Sequence, residues 1–455
     1  MKADVFHVPT FINSRAVGGT QYAIVIMCGL VMFLDGFDTQ TISYVVPVLA
    51  KEWGIPRALF GPIFSSALVG LMIGYLVISP LSDRIGHRRL ILSSTIIFGL
   101  LTLVTTFAGD VSHLIVLRLL TGIALGSAIP SAVAITTEFS PKRLRASFVL
   151  AIYCGFSLGF VVAGAAAASL LPAFGWRSLL WLGAAAPIGL AVVIFGYLPE
   201  SIDFQIRTKV SGTHIWQTLK RLDPSLAVAP SSTFSTDVEE SRGAISSLFQ
   251  ADRAIGTMVL WIVFGLNLAL FYGFQSWLPT VLHGAGYPPT IAATTTSITT
   301  VGGIVAAFVV GPAMDRLGPY GSLATLYLVG VFFVIMMGYA VHSSTSLMLI
   351  VAFCAGFCIS GGQKSVIALA AIFYPAAIRS TGVGWALGVG RLGGIGGPLL
   401  IGLLVSLGMG VKLLFVAAAL PMLVCAILIA FIGQRYRKRD SGEMRQEFHP
   451  QLEPE

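Results

Sequence analysis

Charge is scarce in this chain. Of its 455 residues only 11% are Asp, Glu, Lys or Arg, while 56% are hydrophobic and the mean hydropathy is +0.87. Soluble domains carry about 25% charged residues, so the composition excludes one and points to a polytopic membrane protein. Cysteine is also sparse: Cys28, Cys154, Cys354, Cys358 and Cys425 all fall inside apolar stretches, without metal-ligand or secreted-framework spacing. No disulfide is expected, and the five read as small packing residues. There is no H-E-x-x-H and no cysteine–histidine cluster, so neither a metalloenzyme nor any other enzyme is expected, and no cofactor. Met1 to Thr20 contain no apolar core of signal-peptide length, so no cleaved leader is expected and the first long hydrophobic run anchors the chain.

What is abundant is apolar sequence in lengths that cross a bilayer. Stretches of about 20 such residues span the ~30 Å hydrocarbon layer as helices. Twelve are present, over 22–49, 60–82, 89–108, 112–138, 147–172, 177–198, 254–283, 290–314, 320–341, 345–374, 381–407 and 411–434. The net charge of +8 could suggest nucleic acid, but the basic residues follow alternate loops. Of the 28 Lys and Arg, Arg118, Lys364 and Arg391 lie deep in spans, Lys51, Arg57, Arg177 and Lys412 lie on one side, and all the others lie on the opposite side. The positive-inside rule therefore predicts an inner-membrane protein with both termini in the cytoplasm.

The spans fall into two sets of six. Residues 200–253 mix both signs of charge with Ser, Thr and Pro and read as a cytoplasmic linker, with short amphipathic helices on the membrane surface. The expected organisation is an N-terminal six-helix bundle over 1–199, the linker, a C-terminal bundle over 254–434 and a cytoplasmic tail over 435–455. The two halves echo each other at an offset of 232 to 234 residues. Pro80-Leu81-Ser82-Asp83-Arg84-Ile85-Gly86 returns as Pro312-Ala313-Met314-Asp315-Arg316-Leu317-Gly318, and Pro141 with Arg145 returns as Pro375 with Arg379. Parallel repeats of this kind place a substrate between the halves near the midplane.

These loop motifs resemble the major facilitator superfamily over almost the whole chain. Its signature G-x-L-x-D-R-x-G-R-R is matched at Leu81, Asp83, Arg84, Gly86 and Arg88, with Ser79 and His87 as departures. Arg118-Leu-Leu-Thr121-Gly122 is similar to its R-x-x-Q-G. A narrower resemblance rests on four motifs in order: Asp35-Gly36-Phe37-Asp38, Ser140-Pro141-Lys142-Arg143 with Arg145, Gly361-Gly362-Gln363, and Thr381-Gly382-Val383-Gly384-Trp385 running to Arg391. Together they resemble the aromatic acid:proton symporter family. The resemblance implies an all-α fold of twelve transmembrane helices in two pseudo-symmetric bundles. It also implies proton coupling at Asp35 and Asp38, and an anionic substrate at Arg391.

The deep charges support a transporter on their own terms. A carboxylate at bilayer depth costs several kcal/mol unless paired, hydrated or protonated, and such residues default to function. Asp35 and Asp38 are i, i+3 neighbours, close enough that two negative charges favour a proton on one of them. The alternative is that they hydrogen-bond neighbouring helices as buried polar glue. Arg118 is a candidate for the proton pathway or a gate, against a helix-packing ion pair. Arg391, flanked by Gly390, Gly393 and Gly394, offers its fork to a carboxylate, against pairing with helix carbonyls or an aspartate. Lys364 lies too deep to snorkel; it faces substrate or pairs with an aspartate. Three positive charges against two negative leave room for a monoanion.

Candidate substrate contacts are Tyr153, Phe156, Asn267, Phe271, Tyr272, Gln275, Gln363 and Trp385, although single aromatics in such spans more often serve packing. Asp83, Arg84, Arg88, Arg145, Asp315 and Arg379 are the gating candidates, with plain topology signals as the alternative for the arginines. The expected partners are a small organic anion, protons and membrane lipid; a monomer is expected, serving aromatic compound catabolism. A proton-driven exporter is the first rival, but Gly159 is followed by Phe160 rather than the exporter's proline. An importer of non-aromatic organic acids is the second. A sugar importer is supported by Pro199-Glu200-Ser201 alone.

Overall fold

The computed structural model describes residues 5–226, 228–229, 232–236, 245–250, 253–374 and 378–448. Among the described residues, twelve helices are long and apolar enough to cross a membrane. They are α1 (Gly19–Trp53), α2 (Arg57–Ile85), α3 (His87–Thr105), α4 (Val111–Glu138), α5 (Arg145–Phe174) and α6 (Trp176–Tyr197), then α7 (Ala254–Gly284), α8 (Pro289–Leu317), α9 (Pro319–Ala340), α10 (Thr345–Phe373), α11 (Arg379–Ser406) and α12 (Val411–Phe448). Several outrun the apolar stretches that predict them, because their ends are set by caps. Asp110 accepts the His113 N–H at 2.8 Å to start α4, Ser344 caps α10, and left-handed Gly54 stops α1. At 35 residues α1 is about 50 Å long, well beyond the hydrocarbon layer, so it tilts or projects from it.

The chain forms two compact units, Met1–Glu240 with Ser276–Ser297, and Ser241–Gln275 with Ile298–Glu455. Within lipid there is no hydrophobic drive between apolar helices, so close crossing at small residues holds them. In the first unit Gly36 and Gly159 bring α1 and α5 together: a Cβ on Gly36 would run into the Phe156 carbonyl, and one on Gly159 into the Phe33 carbonyl. Gly70 and Gly122 do the same for α2 and α4, against Leu119 and Ala67. In the second unit Gly302 and Gly356 join α8 to α10, against Phe353 and Thr299, and Gly393 joins α11 to α7 at Gly265. The sequence repeat is therefore also a repeat of contacts.

The segment before α1 and the first part of the linker close over one end of the first unit. Strand β1 (Val5–His7) pairs in parallel with β2 (Thr233–Ser235). Val8 and Ile12 of the following turn, Ile202, Phe234, and Ile215 and Leu219 of the short helix Gly212–Leu222 share one buried cluster with Ile24 of α1 and Ile129 and Ile135 of α4. The amphipathic linker helix thus packs on protein rather than on the membrane surface, because its apolar stripe meets this cluster. Polar ties fasten the same region: the Lys142 N–H donates to Asn13 at 2.6 Å, Gln21 donates to the Phe139 carbonyl at 2.7 Å, and Arg15 pairs with Asp223. Arg15, helped by Ser225, holds the Asp223 carboxyl down at about 2, so this pair stays ionised at neutral pH.

These crossings predict the pattern of tolerance. Gly70→Val should cost about 1–3 kcal/mol through overpacking at α4. Gly189→Ala, with nothing within 4 Å of its new methyl, should be neutral. Thermal unfolding of the purified proteins checks both; equal melting temperatures would contradict the crossing argument.

Candidate functional site

The first unit buries an ion pair. Arg118 on α4 is 0% exposed and its Nη1 donates to both oxygens of Asp38 on α1, at 2.9 and 2.8 Å. The structure places Arg118 in the interior against Asp38. Its Nε and Nη2 have no hydrogen-bond partner among the described residues. Buried donors of this kind cost about 1–3 kcal/mol each, and they keep Arg118 able to take a second acceptor. Asp35, one turn along α1 from Asp38, is also buried. Gly36 between the two acids is where α5 presses closest, so the Asp-Gly-Phe-Asp motif combines a helix crossing with two carboxylates.

Tyr153 and Phe156 of α5 belong to the same unit. Tyr153 is exposed, and Phe156 is half-buried with its ring 4.8 Å from that of Phe160. The last part of α7 lies here too: Trp277 stacks on Phe60 at 5.8 Å and meets the edge of Phe64 at 5.6 Å. Sequence reasoning missed this aromatic cluster. Its signal was the i, i+4 spacing of Phe60 and Phe64, but nothing along the chain points them at Trp277.

At the end of this unit that carries the basic loops, α2 passes through one wide turn at Gly74–Ile78 and a tight one at Ser79–Leu81, then ends at Gly86 with φ 99°. A side chain there would be strained and would also collide with the Glu200 carboxylate. Glu200 accepts from the backbone N–H groups of Arg88 and Ser201, both at 3.0 Å, and Glu138 accepts the Asp203 N–H at 2.6 Å. Burial raises the Asp203 carboxyl above its ordinary range. These bonds dock the short helix Ile202–Arg207, whose Arg207 pairs with Asp83 at 3.2 Å. The ion-pair partner of the gating candidate Asp83 among the described residues is thus Arg207, delivered by that docked helix. Arg84 and Arg145 are exposed, and Arg88 lies against Phe195, donating to its carbonyl at 2.5 Å. The side chains of Asp315 and Arg379 lie outside the described residues.

The second unit gathers most of the predicted substrate contacts. Arg391 of α11 donates to the Tyr272 hydroxyl of α7 at 3.1 Å, and Tyr272 meets Phe271 edge to face at 5.2 Å. The α7–α11 crossing at Gly265 and Gly393 allows this approach. Gln275 donates to Thr300 at 3.1 Å and accepts from Thr299 at 3.3 Å, while Asn267 donates to the buried Tyr327 hydroxyl at 2.7 Å. Tyr327 is a partner the sequence did not single out. Lys364 of α10 donates to the Gly303 carbonyl of α8 at 3.1 Å, so part of its burial is explained by backbone. Gln363 beside it is half-buried. Trp385 is 41% exposed and stacks on Trp261 at 6.0 Å, away from Arg391 along α11.

The sequence profile of the Major Facilitator Superfamily matches residues 28–360 and 286–453. The fold agrees: the structure of a bacterial homologue of the human lysosomal transporter Spinster, inward-facing and occupied, superposes with a TM-score of 0.70 at 16% identity, covering 92% of this chain and 98% of that one. The chain belongs to the major facilitator superfamily, and it is a transporter rather than an enzyme. Within it, the chain is 36% identical to the 4-hydroxybenzoate transporter PcaK of Pseudomonas putida, over 94% of this chain and 95% of that protein. It is also 36% identical to the gallate transporter of the same species, with the same coverage. These relatives place it in the aromatic acid transporter family of that superfamily.

The buried pair yields a double-mutant prediction. Asp38→Asn leaves the Arg118 guanidinium without its counter-charge and should destabilise the protein by about 3–5 kcal/mol. Adding Arg118→Gln should restore most of that loss. Melting curves of the two single variants and the double variant measure it; additive losses would mean that the two residues do not act as a pair.

Proposed function

We propose that this protein imports a small aromatic carboxylate with protons, by alternating access, across the cell's inner membrane, with the basic loops, the linker and both termini in the cytoplasm. The partition of deep charge carries the reading. Asp35, Asp38 and Arg118 all lie in the first unit, and Lys364 and Arg391 in the second. One unit holds proton chemistry, and the other holds fixed positive charge for an anion. The substrates named for the relatives, 4-hydroxybenzoate and gallate, support a ring bearing a carboxylate as the cargo.

In this reading Arg391, oriented by Tyr272, takes the carboxylate as a charge-assisted contact. Phe271 and Tyr272 offer ring faces and edges, and Gln275 and Asn267 offer amides for ring hydroxyls. Lys364 adds a second positive charge. Asp38 has both oxygens committed to Arg118, and in this reading Asp35 is the carboxyl that takes the coupled proton. When Asp35 ionises, the two further donors of Arg118 are chemically suited to a second carboxylate on α1. Moving a monoanion inward against the membrane potential costs ~2.3 kcal/mol per 100 mV, and one proton cancels that charge. Trp277 with Phe60 and Phe64 acts as the gate at the outer end. Asp83, with Arg84, Arg88, Arg145, Asp315 and Arg379 around the basic loops, serves the gate at the cytoplasmic end.

Uptake of radiolabelled 4-hydroxybenzoate, gallate, benzoate and aliphatic acids into cells expressing the protein tests the assignment. Accumulation of the aromatic acids, abolished by an uncoupler and lost in Asp35→Asn while counterflow exchange persists, is the expected result. Accumulation insensitive to the uncoupler, or net efflux from preloaded cells, would reject it. Arg391→Ala should weaken carboxylate binding about tenfold or more and leave an uncharged amide analogue less affected. Equal losses for the two ligands would make Arg391 structural. Trp277→Ala should raise the reactivity of cysteines placed along the outer half of α7, while Trp277→Phe keeps the seal.

A further inference from the structure

An apolar recess of the second unit has no part in this scheme. It is a groove of about 580 Å³ between α8, α9 and α10. One wall is the face of α9 that carries Gly321, Thr325, Val329 and Phe333, four residues at strict i+4 spacing, and Phe353 and Phe357 of α10 form its floor. Among the described residues no charged side chain lines it, and of its two hydroxyl side chains, Ser322 is spent on the Ala313 carbonyl at 2.9 Å. A carboxylate buried there would have nothing to offset its desolvation, so the groove is not a route for the transported acid. Water is equally poorly served, since a buried water needs two to four polar partners.

Its depth and position identify what fills it. From Gly321 to Phe333 the α9 wall rises about 18 Å, close to half of the ~30 Å hydrocarbon layer and therefore one leaflet deep. It begins at the α8–α9 turn, at the end of the unit where the basic loops lie, and it stays within segments that span the membrane. The apolar residues bordering it on α8 and α9, Leu317, Leu328 and Phe332, are all more than half exposed, as expected for side chains facing lipid. Arg316, exposed on the last turn of α8, stands where a lipid phosphate would lie. Gly321 opens the entrance, with nothing within 4 Å of the position a Cβ would take.

We propose that this groove is a lipid site, holding one acyl chain of an anionic phospholipid from the leaflet on the basic side, with the headgroup phosphate at Arg316. The chain supplies the dispersion contacts that the lining otherwise lacks. The bilayer thus contributes a packing element to the α8–α9–α10 face of the second unit.

The test uses the full-length protein in liposomes containing phosphatidylglycerol with a photoactivatable diazirine on its acyl chain. Illumination and peptide mapping should concentrate adducts on Thr325–Phe333 and Phe353–Cys358. Gly321→Phe, which adds a ring in open space at the entrance, should reduce those adducts about tenfold or more, as losing a few buried methylenes implies. Arg316→Gln should erase the preference over a phosphatidylcholine probe while leaving some labelling. If Gly321→Phe folds poorly, Val329→Trp blocks the groove further in. Adducts spread evenly round the lipid-facing helices, labelling unchanged in both blocked variants, or competition by 4-hydroxybenzoate at these peptides would each overturn the proposal.

Discussion

A guanidinium and a carboxylate that meet out of water constrain everything near them. Two charges brought from water into a low-dielectric interior are costly apart and tolerable only together, and removing one partner strands the other at about 3–5 kcal/mol. Asp38 and Arg118 are therefore committed to each other, and α1 and α4 are committed with them. The surrounding packing serves that constraint. Gly36 sits two residues before Asp38 and brings in α5; Gly122 sits one turn after Arg118 and brings in α2. The crossings hold both helices at fixed depth on either side of the pair, and its geometry follows. Asp35, one turn away and also buried, stands on the same frame.

The second unit orients its deep cations through neutral oxygens. The Tyr272 hydroxyl accepts from Arg391, and the Gly303 carbonyl accepts from Lys364. The amides behave likewise: Gln275 and Asn267 are anchored by Thr299, Thr300 and Tyr327, so they are oriented before any ligand arrives, which lowers the entropic cost of binding.

Much of this was legible in the chain. Run length predicts twelve spans, and among the described residues there are twelve such helices. The duplicated loop motif predicts the repeat, and the glycine crossings recur as it requires. The Asp-Gly-Phe-Asp motif marks the deep acids, because few sequences place carboxylates there without need. What was not legible is which helix each charge meets. Arg118 and Asp38 are 80 residues apart, and helical periodicity says which residues share a face but not which neighbour that face meets. The same limit hid Tyr327 behind Asn267, Trp277 between Phe60 and Phe64, and the linker helix behind Asp83. The linker helix also shows a rule reaching its edge: an amphipathic stripe announces an apolar partner, and here the partner was the Val8, Ile12 and Phe234 cluster rather than lipid.

Two of the ion pairs of the first unit, Asp38–Arg118 and Asp83–Arg207, make opposite use of the same chemistry, and their surroundings decide which use is open to each. Asp38 and Arg118 are almost wholly buried, while Asp83 and Arg207 are about half exposed, at 46% and 48% of the side chain. In water an exposed pair is worth about 0–1 kcal/mol and is further weakened by salt. An interaction of that size breaks and reforms easily within the μs–ms range of transporter motions, so Asp83 can exchange partners at little cost. The buried pair cannot. A cycle that must both preserve a site and reopen it needs a strong pair in the interior and a weak one at the loop, and the proposed gate therefore belongs at Asp83 and the proposed lock at Asp38. Docking by Glu138 and Glu200 keeps Arg207 within reach, so the weak pair is guided by stronger backbone contacts without being made strong itself.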